Sequence, residues 1–371
     1  MTSLPANLVD ILRCPMTQTR LVRLGPQQVE KLERRRAKHS LYHLDGTTVS
    51  HPLDQAFVSE DGKFIYPVED GIIILLPHLA IATDAELAAR YGERLGVEKK
   101  SVMEFYDRIG WQEQGQTFTD AARFEDLRPV SRDYIHKCHL RVGRYLKPRG
   151  VYLLDAASGP LQYPEYLTYS QGYDYRICAD ISFVALREAK KKIGKKGIYI
   201  LCDVTNLPLQ DETVDGFVSL HTIYHIPADE QATAVRELHR VLKTGRTGVV
   251  VYSWGGHSPL TKLLMLPYSF FKRSLGKDKA SEEKELFYFH HKYAWYRHEI
   301  RRQCNSRLAV WRSLSVAFLK RLVHPHTLGK SFLLFVYTLE DAFPSFLGRI
   351  GHYPMFIIYR ISAASKSKDR T

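Results

Sequence analysis

The sequence predicts an α/β protein built on an open, mostly parallel sheet, and three observations carry that expectation. Apolar runs ending in an acid recur at residues 151–155 (VYLLD), 175–180 (YRICAD) and 197–203 (GIYILCD). Segments whose apolar residues fall at helical spacing lie between them. A turn of small residues, Ala156-Ala157-Ser158-Gly159, follows the first run. In open α/β sheets ligands sit outside the carboxyl ends of the strands, over turns free of bulky side chains.

The elements follow in order. Residues 151–154 read as a buried strand with Asp155 at its end. After the second run, Ser182 is placed to cap a helix that puts Phe183, Leu186, Ala189 and Ile193 on one face. Asp180 follows Gly159 by about 20 residues, the interval at which a carboxylate meets ribose hydroxyls in dinucleotide folds. A turn at 210–212 leads into a fourth strand, 214–220. The next helix turns Val235, Leu238, Val241 and Leu242 inward and breaks at Gly245, before a β-branched fifth strand, 247–254. Residues 307–318 and 353–359 read as closing strands. Strands alternating with helices imply a parallel sheet with right-handed crossovers. Strand–turn–helix units also occur without ligands, but three successive strand ends carrying Asp are hard to obtain from packing alone.

The ligand is narrowed by what the turn lacks. A dinucleotide pyrophosphate needs GxGxxG, whereas Gly159 is the only glycine here, followed by Pro160 and Leu161. S-adenosylmethionine has no phosphate; it needs room for its methionine arm, an acid for the ribose, and an acid or amide edge for the adenine. The segments DAASGP, ICADIS and ILCDV supply that set. With LLDAASGPL, ADIS, CDVTNLPLQDETVDGFVSLHTIYHI and RELHRVLKTGR, residues 151–254 resemble a class I S-adenosylmethionine-dependent methyltransferase with a methyltransferase type 11-like core. The resemblance implies a Rossmann-like sheet with helices on both faces and S-adenosyl-L-methionine as cofactor. It also implies that Asp155, Ala156, Ala157, Ser158 and Gly159 border the methionine moiety and that Asp180 binds the ribose, with Ile181 beside it. Asp203 with Val204 would bracket the adenine, and Leu220 and His221 would line the methyl-donor side. The chain departs from the family at Ala157, Leu161 and Arg246, where glycine is usual.

Residues 1–77 have another texture: short β-like runs and turns without strand–helix alternation. Segments 8–15 (LVDILRCP) and 57–77 (FVSEDGKFIYPVEDGIIILLP) resemble the zinc-ribbon activator subunit of tRNA, rRNA and release-factor methyltransferases. Of its four metal ligands only Cys14 remains, with Thr17, Ser59 and Gly62 at the other positions. Structural zinc takes four Cys or His ligands, so this module is expected to fold without metal. His39, His43 and His51 are expected on the surface. Segment 27–38 (QQVEKLERRRAK) reads as a solvated charged helix or loop. The organisation is therefore a small β-rich domain (1–80), a helical linker or cap (81–150) and the methyltransferase domain (151–371), with a helical insertion after the fifth strand (255–300). In the resemblance the small module adds a strand to its methyltransferase, and fusion keeps it at high effective concentration; a purely stabilising accessory domain is the alternative.

Composition sets further bounds. Five cysteines without CxxC suggest reduced thiols and a cytoplasmic setting, with Cys178 and Cys202 as core residues. No run approaches the roughly 20 apolar residues of a membrane span, and no signal-peptide pattern is read at the N-terminus. The net charge of +13 concentrates at residues 187–196 (REAKKKIGKK) and at Lys137, Arg141, Arg144, Lys147 and Arg149, which suits nucleic acid and anionic membrane surfaces alike. A YDxxGW element (Tyr106, Asp107, Gly110, Trp111) resembles the N-terminal helices that cover substrate and cofactor in this methyltransferase group. Segments 258–273 and 286–298 read as a pocket wall, a peripheral membrane contact, or a helical cap packed on the domain. The His290-His291 pair lacks nearby carboxylates, so no metal site is expected. Residues 362–371 read as a frayed tail.

Methyl transfer from a sulfonium is an in-line displacement governed mainly by positioning. A general base is needed only for a hydroxyl or a protonated amine. His221, Tyr224 and His225, after the fourth strand, are placed for that role, although His225 also suits a structural one. The LHTIYH segment differs from the Asn-Pro-Pro-Tyr of amide- and adenine-amino methyltransferases, which leaves oxygen nucleophiles. A small molecule, glycan or lipid-linked intermediate is favoured as substrate over tRNA. The alternatives are a tRNA wobble-uridine carboxyl methyltransferase and a non-catalytic methyltransferase-like binding protein. Oligomeric state is not legible.

Overall fold

The computed structural model describes residues 6–53, 55–91, 96–114, 117–274, 286–326 and 328–361. The N-terminal part contributes β1 (Leu21–Arg23), β2 (Gln55–Ser59), β3 (Phe64–Glu69), β4 (Ile72–Ile74) and β5 (Ile81–Ala82). A separate two-stranded ribbon follows, β6 (Glu113–Gln114) with β7 (Thr117–Phe118). The remaining strands are β8 (Gly150–Ala156), β9 (Tyr173–Asp180), β10 (Gly197–Leu201), β11 (Val214–Leu220), β12 (Leu242–Val251), β13 (Asn305–Arg312) and β14 (Tyr353–Tyr359).

Among the described residues one sheet runs β1-β2-β3-β4-β10-β9-β8-β11-β12-β14-β13, with β5 paired to β3. Counted from β8, its parallel part has the order 3-2-1-4-5 of doubly wound dinucleotide folds, and β14 closes it antiparallel to both β12 and β13. This is the Rossmann-like α/β fold expected from the sequence. The switch point, where ligands bind in such sheets, lies between β8 and β11. The central strands are apolar on both faces, as a sheet covered on both sides requires: Leu153, Leu154, Ile177, Ile198, Ile200, Phe217 and Val218 are fully buried. The helix Phe183–Ile193 starts where Ser182 Oγ accepts a hydrogen bond from Ala185 N (3.1 Å) and presses Leu186 and Ala189 onto the sheet.

Some expected boundaries differ. The helix Gln231–Val241 stops at Val241, and Leu242 already pairs with Val214 as the first residue of β12. The pairing resumes at Gly216 with Thr247, so Gly245 (φ +76°) lies in a bulge rather than at a helix end. Lys243 and Arg246 fold back from that bulge onto Asp215, at 3.0 and 3.1 Å. The strand expected at 307–318 ends at Arg312, because Ser315 Oγ accepts from Phe318 N (3.1 Å) and starts the helix Val316–Leu322. Asp203 lies beyond β10, capping a short turn at Val204–Asn206. Arg141, read as surface charge, is 1% exposed.

The N-terminal strands join the main sheet directly. Ile72, Ile73 and Ile74 of β4 pair in parallel with Tyr199, Ile200 and Leu201 of β10. A second seam forms where Arg13 N donates to Pro208 O (3.1 Å) and Gln210 N to Ile11 O (2.8 Å). Leu8, Leu12, Phe64 and Tyr66 share one apolar core with Ile200, Leu207 and Leu238. Cys14, Thr17 and Ser59 take part in local hydrogen bonds. Thr17 N donates to Cys14 Sγ (3.3 Å), and Cys14 Sγ also meets Tyr66 Oη (3.1 Å). Ser59 Oγ accepts from Lys63 N and Phe64 N (3.1 and 3.0 Å). His39 and His51 are exposed, but His43 is half-buried, its Nδ1 donating to Leu79 O (2.7 Å). Segment 27–38 falls in the helix Pro26–Ala37, which buries Val29 and Leu32. Of the insertion expected at 255–300, residues 275–285 lie outside the described residues, as do 362–371.

Candidate functional site

A cavity of about 870 Å³ opens at the carboxyl ends of β8, β9 and β11, beside the switch point. Its floor is the turn after β8. Ala157, Gly159 and Leu161 all have positive φ, +56°, +54° and +54°. A non-glycine residue costs roughly 1–2 kcal/mol in that conformation, so the backbone keeps a glycine-like path although two of its three residues carry side chains. Ala157 N and Ser158 N donate to Ala179 O (2.7 and 3.3 Å), tying the turn to β9. A Cβ on Gly159 would approach the Trp111 ring to 3.1 Å, so the indole lies directly over the turn, stacked on Tyr106 at 4.6 Å.

Asp180 faces this turn. Its carboxylate accepts from Gly159 N and Ser182 N, both at 2.8 Å. Burial pushes its carboxyl up to about 6, against the pull of those two backbone bonds. Asp155 is neutralised within the sheet by the buried Arg176, whose Nε donates to it at 3.1 Å; burial raises the Asp155 carboxyl despite that partner.

At the end of β11, His221 (φ +60°) turns back over the sheet between the rings of Trp311 (4.4 Å) and Tyr353 (5.2 Å). Burial, reinforced by Arg312, holds its imidazole well below the usual range. Tyr224 and His225 follow, their rings 4.6 Å apart. His225 Nδ1 donates to Phe287 O (2.8 Å), which leaves Nε2 as its basic nitrogen, and burial lowers its pKa to about 4.

Of the residues expected at the site, Asp155, Ala157, Ser158, Gly159, Asp180, Ile181, Leu220, His221, Tyr224 and His225 line this one cavity. Ala156 is fully buried behind the turn. Asp203 and Val204 are not among the lining residues. Asp203 instead bonds Lys99 Nζ (2.6 Å) and Thr205 N (2.8 Å). Segment 286–298 is part of the wall, contributing Leu286, Tyr288 and His290.

The far wall was not anticipated from the sequence. Asp120, Glu125, His139, Trp311, Arg312 and His352 come from elements remote in the chain, and no spacing pattern joins them. Arg312 Nη1 donates to Glu125 Oε1 (2.7 Å), and its guanidinium sits 4.9 Å from the Trp311 ring and 4.8 Å from the Tyr353 ring. Asp120 accepts from Gln162 Nε2 (3.0 Å), and burial raises its carboxyl to about 6. Trp111 Nε1, His139 Nε2, Gln162 Oε1 and Arg312 Nε are buried here without hydrogen-bond partners among the described residues. Buried polar atoms are normally satisfied, so these four mark where a polar ligand would bond.

Residues 154–250, within the segment that builds β8 through β12, match a protein-family model described as a methyltransferase domain. No curated protein matches the chain. Similar solved structures include a phosphoethanolamine N-methyltransferase from Haemonchus contortus (13% identity, TM-score 0.40), with 61% of this chain and 53% of that chain covered. This chain therefore spans about half the length of that enzyme. Magnesium protoporphyrin IX methyltransferase from Synechocystis aligns at 14% identity and TM-score 0.43, covering 71% of this chain and 99% of that one. A complex of a Haloferax volcanii methyltransferase activator with a methyltransferase aligns at 13% identity and TM-score 0.39, covering 62% and 92%.

Proposed function

We propose that this protein transfers a methyl group from S-adenosylmethionine to an oxygen of a small molecule, glycan or lipid-linked acceptor. The observation that carries this reading is Asp180 held against a glycine-like turn at the switch point of the sheet. The cavity lies toward the upper end of the roughly 300–1,000 Å³ usual for ligand sites, enough for a cofactor and part of an acceptor. The family match over residues 154–250 points the same way, as do the similar structures crystallised with S-adenosylmethionine or S-adenosylhomocysteine.

In this reading the 157–159 turn, Asp180 and Ile181 hold the cofactor, Asp180 accepting from ribose hydroxyls. Bound there, S-adenosylmethionine supplies an electrophilic methyl group and leaves as a neutral thioether. Tyr106 and Trp111 exclude water from above. His221 and His225, neutral because burial disfavours their charged forms, are available to take a hydroxyl proton, and Asp120 is a further candidate base. His139, Gln162 and Arg312 orient the acceptor through their unpartnered atoms. The small domain at residues 1–80 acts as an activator-like module in cis, with β4 docked on β10, and the five buried free cysteines fit a reducing, cytoplasmic setting.

The tRNA alternative is less well supported. Lys190 bonds Asp70, Lys191 bonds Glu188, and Lys192 donates to Leu161 O, so three lysines of the helix Phe183–Ile193 already have partners within the chain. Incubating the protein with methyl-labelled S-adenosylmethionine and fractionated cell extract is expected to place label in the small-molecule or lipid fraction. Label confined to RNA would overturn that substrate class.

Affinity for S-adenosylhomocysteine is expected to depend on pH. Hydrogen bonds from ribose hydroxyls favour the ionised Asp180, whose folded-state pKa of about 6 lies above the ordinary carboxylate value. Asp180 thus stabilises the free protein at low pH, and that contribution is lost as pH rises through about 6. Ligand binding has the opposite sense and strengthens over the same interval. Titration calorimetry should show binding about tenfold weaker at about pH 5 than at pH 7. A profile as steep in Asp180→Asn would assign the titration to another group.

A further inference from the structure

The mouth of the cavity borders a surface that the methyl-transfer reading leaves unused. Helices Val316–Leu322, Gly329–Ala342 and Pro344–Ile350, with Phe343 joining the last two, leave Leu322, Leu334, Phe335, Phe343 and Phe346 between 43 and 60% exposed. The helix Gly329–Ala342 already buries Leu333, Val336 and Tyr337 on its inner side, so it is apolar on both faces, and a helix of that kind needs cover. The neighbouring helix Pro259–Ser274 extends the surface with Leu263, 63% exposed, and the Arg321 guanidinium lies 4.6 Å from its Tyr268 ring. Monomeric proteins seldom expose large apolar side chains clustered on neighbouring helices without a partner.

Charge identifies the partner. Segments 259–274 and 316–350 contain seven Lys and Arg against two acids, Glu340, which is fully buried, and Asp341, which pairs with Arg144 (3.1 Å). A symmetric pairing of two copies through this face would set like charges against each other, and a nucleic acid would leave the leucines and phenylalanines uncovered. An anionic lipid surface satisfies both features, the apolar side chains entering the headgroup–acyl boundary and the basic ones meeting phosphates. No helix among the described residues is long and apolar enough to cross a membrane, so contact would be made from one side. Val316, Ala317, Lys320 and Arg321, on the helix Val316–Leu322 of this surface, also line the cavity.

We propose that this face docks on an anionic bilayer and that the cavity opens where it does so. The full-length protein should co-sediment with vesicles of phosphatidylcholine mixed with phosphatidylglycerol at least about tenfold more strongly than with phosphatidylcholine alone, and the difference should shrink with added salt. The double variant Phe335→Asp, Phe346→Asp should bind the mixed vesicles about tenfold more weakly at unchanged Tm. Leu334→Glu, a single change on the same face, should act in the same direction. Absence of binding to either vesicle overturns the proposal, as does undiminished binding by both variants. A dimer in sedimentation velocity that the double variant dissolves also overturns it, assigning the face to a second copy. Vesicle binding is measured without cofactor, so its outcome is independent of whether the protein proves to be a methyltransferase.

Discussion

Asp180→Ala is expected to remove most of the thermal stabilisation that S-adenosylhomocysteine confers on the protein. A ligand that binds only the native state raises Tm by mass action, and the loss should appear directly in a melting series at fixed ligand. Two effects add. The ribose hydroxyls lose an ionised acceptor, about 1.5–3 kcal/mol for charge-assisted bonds. Gly159 N and Ser182 N also lose the acceptor that holds them at 2.8 Å, so the turn is no longer pinned for binding. Affinity should fall between about tenfold and a hundredfold. A ligand-induced shift equal to that of the parent protein would remove Asp180 from the site and, with it, the proposed cofactor.

The largest loss of stability is expected at Glu340, far from the strand-end acids. Its side chain is fully buried and accepts from Tyr134 Oη (2.6 Å), Arg141 Nη1 (2.9 Å), Ser313 N (2.7 Å) and Ser313 Oγ (2.6 Å). Arg141 also donates to Trp311 O (2.5 Å), so this network secures the end of β13 and the cavity wall built on it. Removing one partner of a buried pair strands the other charge, at about 3–5 kcal/mol. Glu340→Ala should therefore lower Tm by roughly 4–6 °C in a chain of this length and weaken acceptor binding through movement of Arg312. Glu340→Gln keeps the shape and some of the hydrogen bonds and should lose less. Equal stability of Glu340→Ala and the parent in calorimetry would contradict this account.

These two residues also show how much of the molecule was legible. Asp180 announced itself because it ends an apolar run at a fixed distance from a small-residue turn, a signal local to the sequence. The same kind of signal located β8, β9 and β11, where burial on both faces writes a continuous apolar run. Glu340 and Arg141 gave no such sign: a charged residue on a helix reads as solvated surface until the fold brings its partner from some 200 residues away. The far cavity wall was missed for the same reason, as Arg312 and Glu125 meet only in three dimensions. Asp203 carried the strand-end signal, yet Lys99, remote in the chain, competes for its carboxylate. The end of the helix Gln231–Val241 was misplaced because Leu242 is apolar in either a helix or a strand, and only its pairing with Val214 decides between them.

Leu161 lies buried next to the cavity-lining Pro160, where the family resemblance leads one to expect glycine. Its side chain packs in one cluster with Ile72, Ile74 and Leu76 from the N-terminal part and with Leu186 and Leu201 from the sheet. A glycine would leave the turn free to move independently of β4; leucine joins them mechanically. Loosening of β4 is then expected to weaken any ligand held at the turn, and by reciprocity such a ligand is expected to tighten the docking of β4. The turn after β8 and the strand β4 thus belong to one packed unit, and a change made in either is expected to reach the other.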